Sequence, residues 1–189
     1  MKKFCMLAIM LFVGVFLLSA CDAIANAPEP EPTPEPTPAP TYNIGEILHL
    51  PNWEFTATET VGFAERIESG GTVRFVYEPT REDRIFAYVP VEITNISGER
   101  RQMLPARLQT QTQLTARLRY VGADSNTAFL PMSLSVSVGD VIDRPVNPGY
   151  TIDGKIFFQI PPEIENSTGN VELEIRTNAG DTMGVFLIR

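Results

Sequence analysis

Val171-Glu172-Leu173-Glu174-Ile175-Arg176 alternates apolar and charged residues without a miss. Successive side chains of a strand point to opposite faces, so Val171, Leu173 and Ile175 are predicted to cover a buried face and Glu172, Glu174 and Arg176 a wet one. The same period runs through Leu114, Ala116, Leu118 and Tyr120 against Thr115, Arg117 and Arg119, and through Leu134, Val136 and Val138 against Ser133, Ser135 and Ser137. Ile156, Phe158 and Ile160 form a fourth set, opposed by Lys155, Phe157 and Gln159, and Ile85, Ala87, Val89, Val91 and Ile93 form a longer fifth. Trp53, Phe55 and Ala57 suggest a sixth strand. Val185-Phe186-Leu187-Ile188 has no polar position, which predicts a seventh strand covered on both faces.

Turn chemistry separates these runs. Asn147-Pro148-Gly149-Tyr150 fits a type II turn, in which Pro presets the first central φ and Gly takes the positive second one. Ser69-Gly70-Gly71 reads as a three-residue hairpin loop that sets Ile67 opposite Val73 and Phe63 opposite Tyr77. Pro90 removes a ladder donor from the fifth strand, placing that strand at an edge or at a bulge. No segment of ten or more residues has helical periodicity. Seven to nine short antiparallel strands in about 150 residues predict an all-β, immunoglobulin-like antiparallel β-sandwich.

The rest of the 189-residue chain is organised around export. Met1-Lys2-Lys3 precedes an apolar run from Phe4 to Leu18, a layout that reads as a signal peptide over residues 1–20. The run is shorter than the roughly 20 residues that a spanning helix needs, which favours a cleaved signal. Leu18-Ser19-Ala20-Cys21 resembles the bacterial lipobox. The resemblance implies that Cys21 carries a diacylglycerol lipid and becomes the new N-terminus, that palmitate-type chains hold the protein in the membrane, and that no other cofactor is needed. Two acyl chains suffice for stable anchoring, at about 0.8 kcal/mol per buried methylene. Asp22 after the Cys resembles an inner-membrane retention signal of Gram-negative lipoproteins; in a Gram-positive cell the same chain would face the wall. Either way the expected location is extracytoplasmic, on the outer face of the cytoplasmic membrane.

Residues 28–40 then carry proline at every second position. Such a run enters neither helix nor sheet, and as a semi-rigid polyproline spacer it spans on the order of 40 Å at about 3.1 Å per residue. The lipidated Cys and stalk are therefore assigned to 21–41 and the folded domain to 42–189.

Several motifs of that domain carry a family resemblance. Tyr42-Asn43-Ile44-Gly45-Glu46, Trp53-Glu54-Phe55-Thr56-Ala57, Val91-Glu92-Ile93-Thr94-Asn95-Ile96-Ser97-Gly98, and Val146-Asn147-Pro148-Gly149 leading into Gly154-Lys155-Ile156-Phe157-Phe158-Gln159-Ile160-Pro161 resemble the immunoglobulin-like domain of unknown function common in Gram-positive lipoproteins. That family is similar in fold to a secreted mycobacterial immunoprotective antigen. The resemblance implies a β-sandwich and supplies no catalytic residue. Glu78-Pro79-Thr80-Arg81-Glu82-Asp83 departs from the family's spacing and reads as a loop.

The chemistry available is sparse. Cys5 and Cys21 are the only cysteines, so the domain has no disulfide and no thiolate metal site. His49 is the only histidine, and nothing near it in sequence completes a Ser-His-Asp triad, so no catalytic residue is assigned. Asp124, Asp140 and Asp143 lack the spacing of a calcium loop and read as turn residues. A formal net charge of −8 argues against a nucleic-acid binder. Charge is uneven, however: residues 66–119 hold nine Arg against six acids, and 120–189 hold four basic residues against nine acids. Arg100, Arg101, Arg107, Arg117 and Arg119 are the candidate face for an anionic partner, with neutralisation by Glu172 and Glu174 as the competing reading. The expectation is a non-enzymatic binding or protein-interaction module of the cell envelope, contacting an envelope protein or an anionic wall polymer. The alternatives are an architectural or stress-related surface lipoprotein and, more remotely, a hydrolase.

Overall fold

Two sheets carry most of the regular structure in the computed structural model, which describes residues 38–69, 75–104, 114–132, 134, 139 and 144–189. In chain order the strands are β1 (Thr41–Asn43), β2 (Leu48–Leu50), β3 (Trp53–Ala57), β4 (Gly62–Ala64), β5 (Ile67–Glu68), β6 (Val76–Tyr77), β7 (Ile85–Asn95), β8 (Leu114–Val121), β9 (Asn126–Phe129), β10 (Pro131–Met132), β11 (Thr151–Ile160), β12 (Asn170–Thr177) and β13 (Thr182–Leu187). One sheet has the order β1-β13-β12-β8-β9 and the other β10-β11-β7-β3-β2, with β4 also on β7. The short β5–β6 hairpin stands apart from both. All these pairings are antiparallel except β1 with β13.

In immunoglobulin lettering, β3-β7-β11-β10 follows the A-B-E-D order and β13-β12-β8 the G-F-C order. The protein is thus an all-β, immunoglobulin-like sandwich. Its segments outnumber the seven long runs read from sequence because the edges are built of two- to four-residue pieces. The compact unit runs from Pro38 to Arg189. Pro40 belongs to it, since its carbonyl accepts a hydrogen bond from the Val185 N–H at 3.0 Å. The signal, Cys21 and most of the stalk lie outside the described residues.

The inner faces are the ones that alternation assigns. Ala87, Val89, Val91 and Ile93 of β7, Ile156, Phe158 and Ile160 of β11, and Val171, Leu173 and Ile175 of β12 are all buried in one cluster. Phe186 of β13 ties the sheets together. Its ring stacks on Tyr42 at 5.2 Å and meets Phe55 of the opposite sheet edge-on at 5.4 Å. Aromatic pairs in such geometry add about 0.5–1.5 kcal/mol beyond area burial. No disulfide spans the sheets; this packing takes its place.

Four expectations are corrected. First, β7 is not an edge strand: β11 flanks it on one side, in register from Thr151↔Thr94 to Ile160↔Ile85, and β3 and β4 flank it on the other. The irregularity lies in the neighbour. Between Ala57↔Val91 and Gly62↔Tyr88 the partner chain advances five residues while β7 advances three. The Pro90 carbonyl accepts from the Thr58 N–H at 3.0 Å, so the proline nitrogen, on the same side of its strand, faces this break where no ladder acceptor waits.

Second, the hairpin sets Ile67 opposite Tyr77, not Val73, while Phe63 lies opposite Ala87 on β7. The loop is longer than three residues, and residues 70–74 lie outside the described residues. Third, β13 is covered on one face only, since Leu187 is 40% exposed. Fourth, Phe157, assigned to a wet face, is buried. With Phe86, Ile67 and Leu134 it makes a second cluster on the outer face of its sheet, packed by Tyr77, Tyr88 and Met132. Residues 135–138 of the predicted Ser/Val strand lie outside the described residues; Leu134 is buried as expected.

The type II turn is as read: Gly149 has φ +71° and the Tyr150 N–H donates to the Asn147 carbonyl at 3.1 Å. Residues 78–84 form a loop, pinned by Thr80 donating to Gln159 Oε1.

Candidate functional site

One end of the sandwich gathers the β2–β3 turn, the connection that leaves β7, and the β12–β13 turn. The last two are the B–C and F–G connections, which in immunoglobulin variable domains are among the loops that bind. Asn95 organises this end. It is fully buried, and its Nδ2 donates to the carbonyls of Glu99 at 2.7 Å and Val146 at 2.8 Å. Its Oδ1 accepts from the Ser97 N–H and Oγ. The Asn-x-Ser-Gly motif is thus a side-chain-built turn, and a fully satisfied one.

The fixed Val146 in turn holds Arg101. The two residues exchange both backbone hydrogen bonds, at 3.1 and 2.7 Å, in an isolated bridge. The Ile96 N–H donates to the Asn52 carbonyl, joining the β2–β3 turn to the same frame.

On the β12–β13 side a bulge does the positioning. Ile175 pairs with Gly184 and Arg176 with Thr182, which leaves Met183 as the extra residue. Bulges re-aim side chains in this way. Gly184 allows the bulge to close on the core, because a Cβ there would meet Leu48 and Tyr42 side-chain carbons at 3.0 Å. A glycine inside a strand run was the signal in the sequence, and the periodicity reading passed over it.

These segments enclose a cavity of about 390 Å³. Its apolar wall is Leu50, Trp53, Met103, Leu114 and Met183, and its polar wall is Asn52, Arg101, Gln102 and Thr177. Ile96 and Tyr150 are exposed at the same end, Tyr150 by 65%, where the Asn95 N–H donates to the Tyr150 carbonyl.

The five candidate arginines do not form one face. Arg101 lines the cavity, and its Nη2 lies 3.0 Å from Glu99 Oε2. Arg100 is exposed beside it. Arg117 and Arg119 sit on the outer face of β8, three and five residues beyond Leu114, or roughly 10 and 17 Å along the strand. Arg119 is engaged: Nη1 lies 3.0 Å from Glu174 Oε1 and 3.5 Å from Glu172 Oε2, while Nε donates to Asn126 Oδ1. This is the neutralised arrangement for Arg119, and Glu174, assigned to the wet face, is only 6% exposed. Arg117 makes no ion pair among the described residues. Arg107 and Cys21 lie outside them.

His49 is exposed on β2, with Nδ1 3.4 Å from Glu54 Oε1 across the β2–β3 pair. Asp124 is exposed in the β8–β9 turn at the opposite end, and Asp140 and Asp143 lie outside the described residues. Among the described residues no group of three His, Cys, Asp or Glu side chains is placed to hold a metal. A second groove, of about 550 Å³, lies on the β7–β11 sheet and carries Glu59, Arg144, Asp153 and Lys155. Its cations are engaged: Lys155 Nζ sits 4.4 Å over the Tyr88 ring and Arg144 donates to the Asp153 carbonyl.

Comparison with one solved structure agrees with this architecture. An uncharacterized β-sandwich protein from Clostridium difficile 630 superposes with a TM-score of 0.59 at 16% identity, covering 84% of this chain and 100% of that one. The shared feature is the fold. A conserved hypothetical protein from Bacillus anthracis aligns with a TM-score of 0.45 at 17% identity, over 75% of this chain and 94% of that one. No protein-family model and no curated protein matches the sequence.

Proposed function

We propose that this protein is a lipid-anchored binding module of the bacterial cell envelope, held at the outer face of the cytoplasmic membrane through Cys21. It contacts an envelope protein or an anionic envelope component through the loop end of its sandwich and performs no chemical step of its own. The observation that carries this reading is the cavity at the B–C and F–G end, where an apolar floor meets a few placed polar groups, as is usual for binding sites. Support for the anchor comes from Leu18-Ser19-Ala20-Cys21 behind a basic start and an apolar run, and the alternating prolines of residues 28–40 supply the reach. The exposed placement of His49, away from the cavity wall, fits a binding role better than a hydrolytic one. The net charge of −8 disfavours nucleic acid as a partner.

The anchor is tested in growing cells fed labelled palmitate. The parent chain is expected to incorporate label and to sediment with membranes, and Cys21→Ser to lose both lipidation and cleavage before residue 21. Labelled, processed Cys21→Ser protein would contradict the reading.

A further inference from the structure

We propose that the loop-end cavity takes a small amphipathic carboxylate, an aromatic or branched apolar body bearing one negative group, with Arg101 as the anchor of that group. The proposal rests on the loop-end binding role above and adds the chemistry of the ligand.

The wall composition selects it. In a chain with 23 acidic residues, the charged side chain that lines this cavity among the described residues is an arginine, and no carboxylate lines it. Half-buried Leu114 and Met183, backed by the nearly buried Trp53 and Met103, offer adaptable apolar surface, which suits a ring or a branched chain. A guanidinium matches a carboxylate with two parallel hydrogen bonds, a geometry that lysine does not offer.

The existing partner of Arg101 does not block this role. Arg101 and Glu99 have side chains 44% and 76% exposed, and ion pairs in that setting are weak enough to exchange for a ligand carboxylate. The Arg101 backbone stays fixed meanwhile by its double hydrogen bond with Val146, itself held by Asn95. Little ordering cost therefore falls on binding. A free aromatic acid and the C-terminus of a polypeptide ending in a large apolar residue share this chemistry.

The site contains its own reporters. Trp53 is the only tryptophan of the chain, and Met103 and Met183 line the cavity while Met132 packs in the second cluster, on the outer face of the β7–β11 sheet. The full chain in nanodiscs of zwitterionic lipid is titrated with N-acetylphenylalanine and with its neutral amide. Trp53 emission and the methyl resonances of Met103, Met132 and Met183 are followed.

The acid is expected to give a saturable change at Trp53, Met103 and Met183 and none at Met132, with the amide at least tenfold weaker. Arg101→Gln, with an unchanged Met132 resonance as its folding control, is expected to erase that preference. A short peptide ending in phenylalanine that binds more tightly than N-acetylphenylalanine, and loses the advantage on C-terminal amidation, would assign the natural source to a polypeptide end. Equal affinity for acid and amide, or a preference that survives in Arg101→Gln, would overturn the anionic assignment and leave loop-end binding standing. No saturable response at Trp53, Met103 or Met183 to any probe would overturn the cavity as the ligand site, and cross-linking at the rim would still report separately on partner contact.

Discussion

Asn95 and Arg119 show how much of this sandwich hangs on single polar side chains. Asn95 satisfies four hydrogen bonds inside a buried corner, and truncation strands the Ser97 N–H and leaves the Glu99 and Val146 carbonyls with one donor each, Ser97 Oγ and the Arg101 N–H. Stranded buried polar groups cost about 1–3 kcal/mol each, less where water can reach them. Asn95→Ala is therefore expected to lower stability by about 2 kcal/mol, measured by urea unfolding, and to loosen Arg101. Arg119 and Arg117 form a matched contrast on one strand face. Arg119→Ala leaves the nearly buried Glu174 beside Glu172 without its cation, an expected loss of about 1–3 kcal/mol after allowance for the part exposure of Arg119. Arg117→Ala, with no ion pair among the described residues, is expected to stay within about 0.5 kcal/mol of the parent. Similar losses for the two would contradict the assignment. Residues with local tasks were legible beforehand: the Pro-Gly turn at 148–149 is written in its own four residues. Glu174 was not, because its burial depends on β8 and β13 standing on either side of it, which alternation along β12 cannot show.

At the scale of elements, the long strands were readable from period two because one face of each meets the core. β7, β11 and β12 bury the residues that alternation selected. What failed was context around them. Pro90 correctly signalled a missing donor, yet the fold answers it by breaking the neighbouring β3–β4 ladder and keeping β7 central. Phe157 looked misplaced until the β5–β6 hairpin covered the outer face of its sheet. The element most exposed to a single change is β13, whose Phe186 touches aromatic rings from both sheets. Phe186→Ala is expected to cost about 3–5 kcal/mol, a large share of the stability of a domain this size. Thermal or urea unfolding that matches the parent would show that the sheets are held together elsewhere.

Across the whole molecule, topology lays the basic and acidic stretches of the sequence side by side and neutralises Arg119 with Glu172 and Glu174. The basic stretch ends in β8 and the acidic one contains β12, and these strands are neighbours, with Arg117 opposite Glu174 and Arg119 opposite Glu172. An arginine surface inferred from linear charge thus contracts to the loop end, where Arg100 and Arg101 accompany exposed Ile96 and Tyr150. The cavity itself was not legible, because its walls come from segments more than a hundred residues apart and from a bulge that only pairing reveals. The export signal and stalk, by contrast, are written in consecutive residues. The central claim is that the protein meets its partner with this end of the sandwich. Photo-cross-linking in living cells tests it most directly, with the reactive side chain at Tyr150 in one variant and at Asp124, in the β8–β9 turn at the opposite end, in another. A discrete adduct from position 150 that is lost on adding Arg101→Gln, with none from position 124, is the expected result; equal adducts from both positions, or none from 150, would contradict the account.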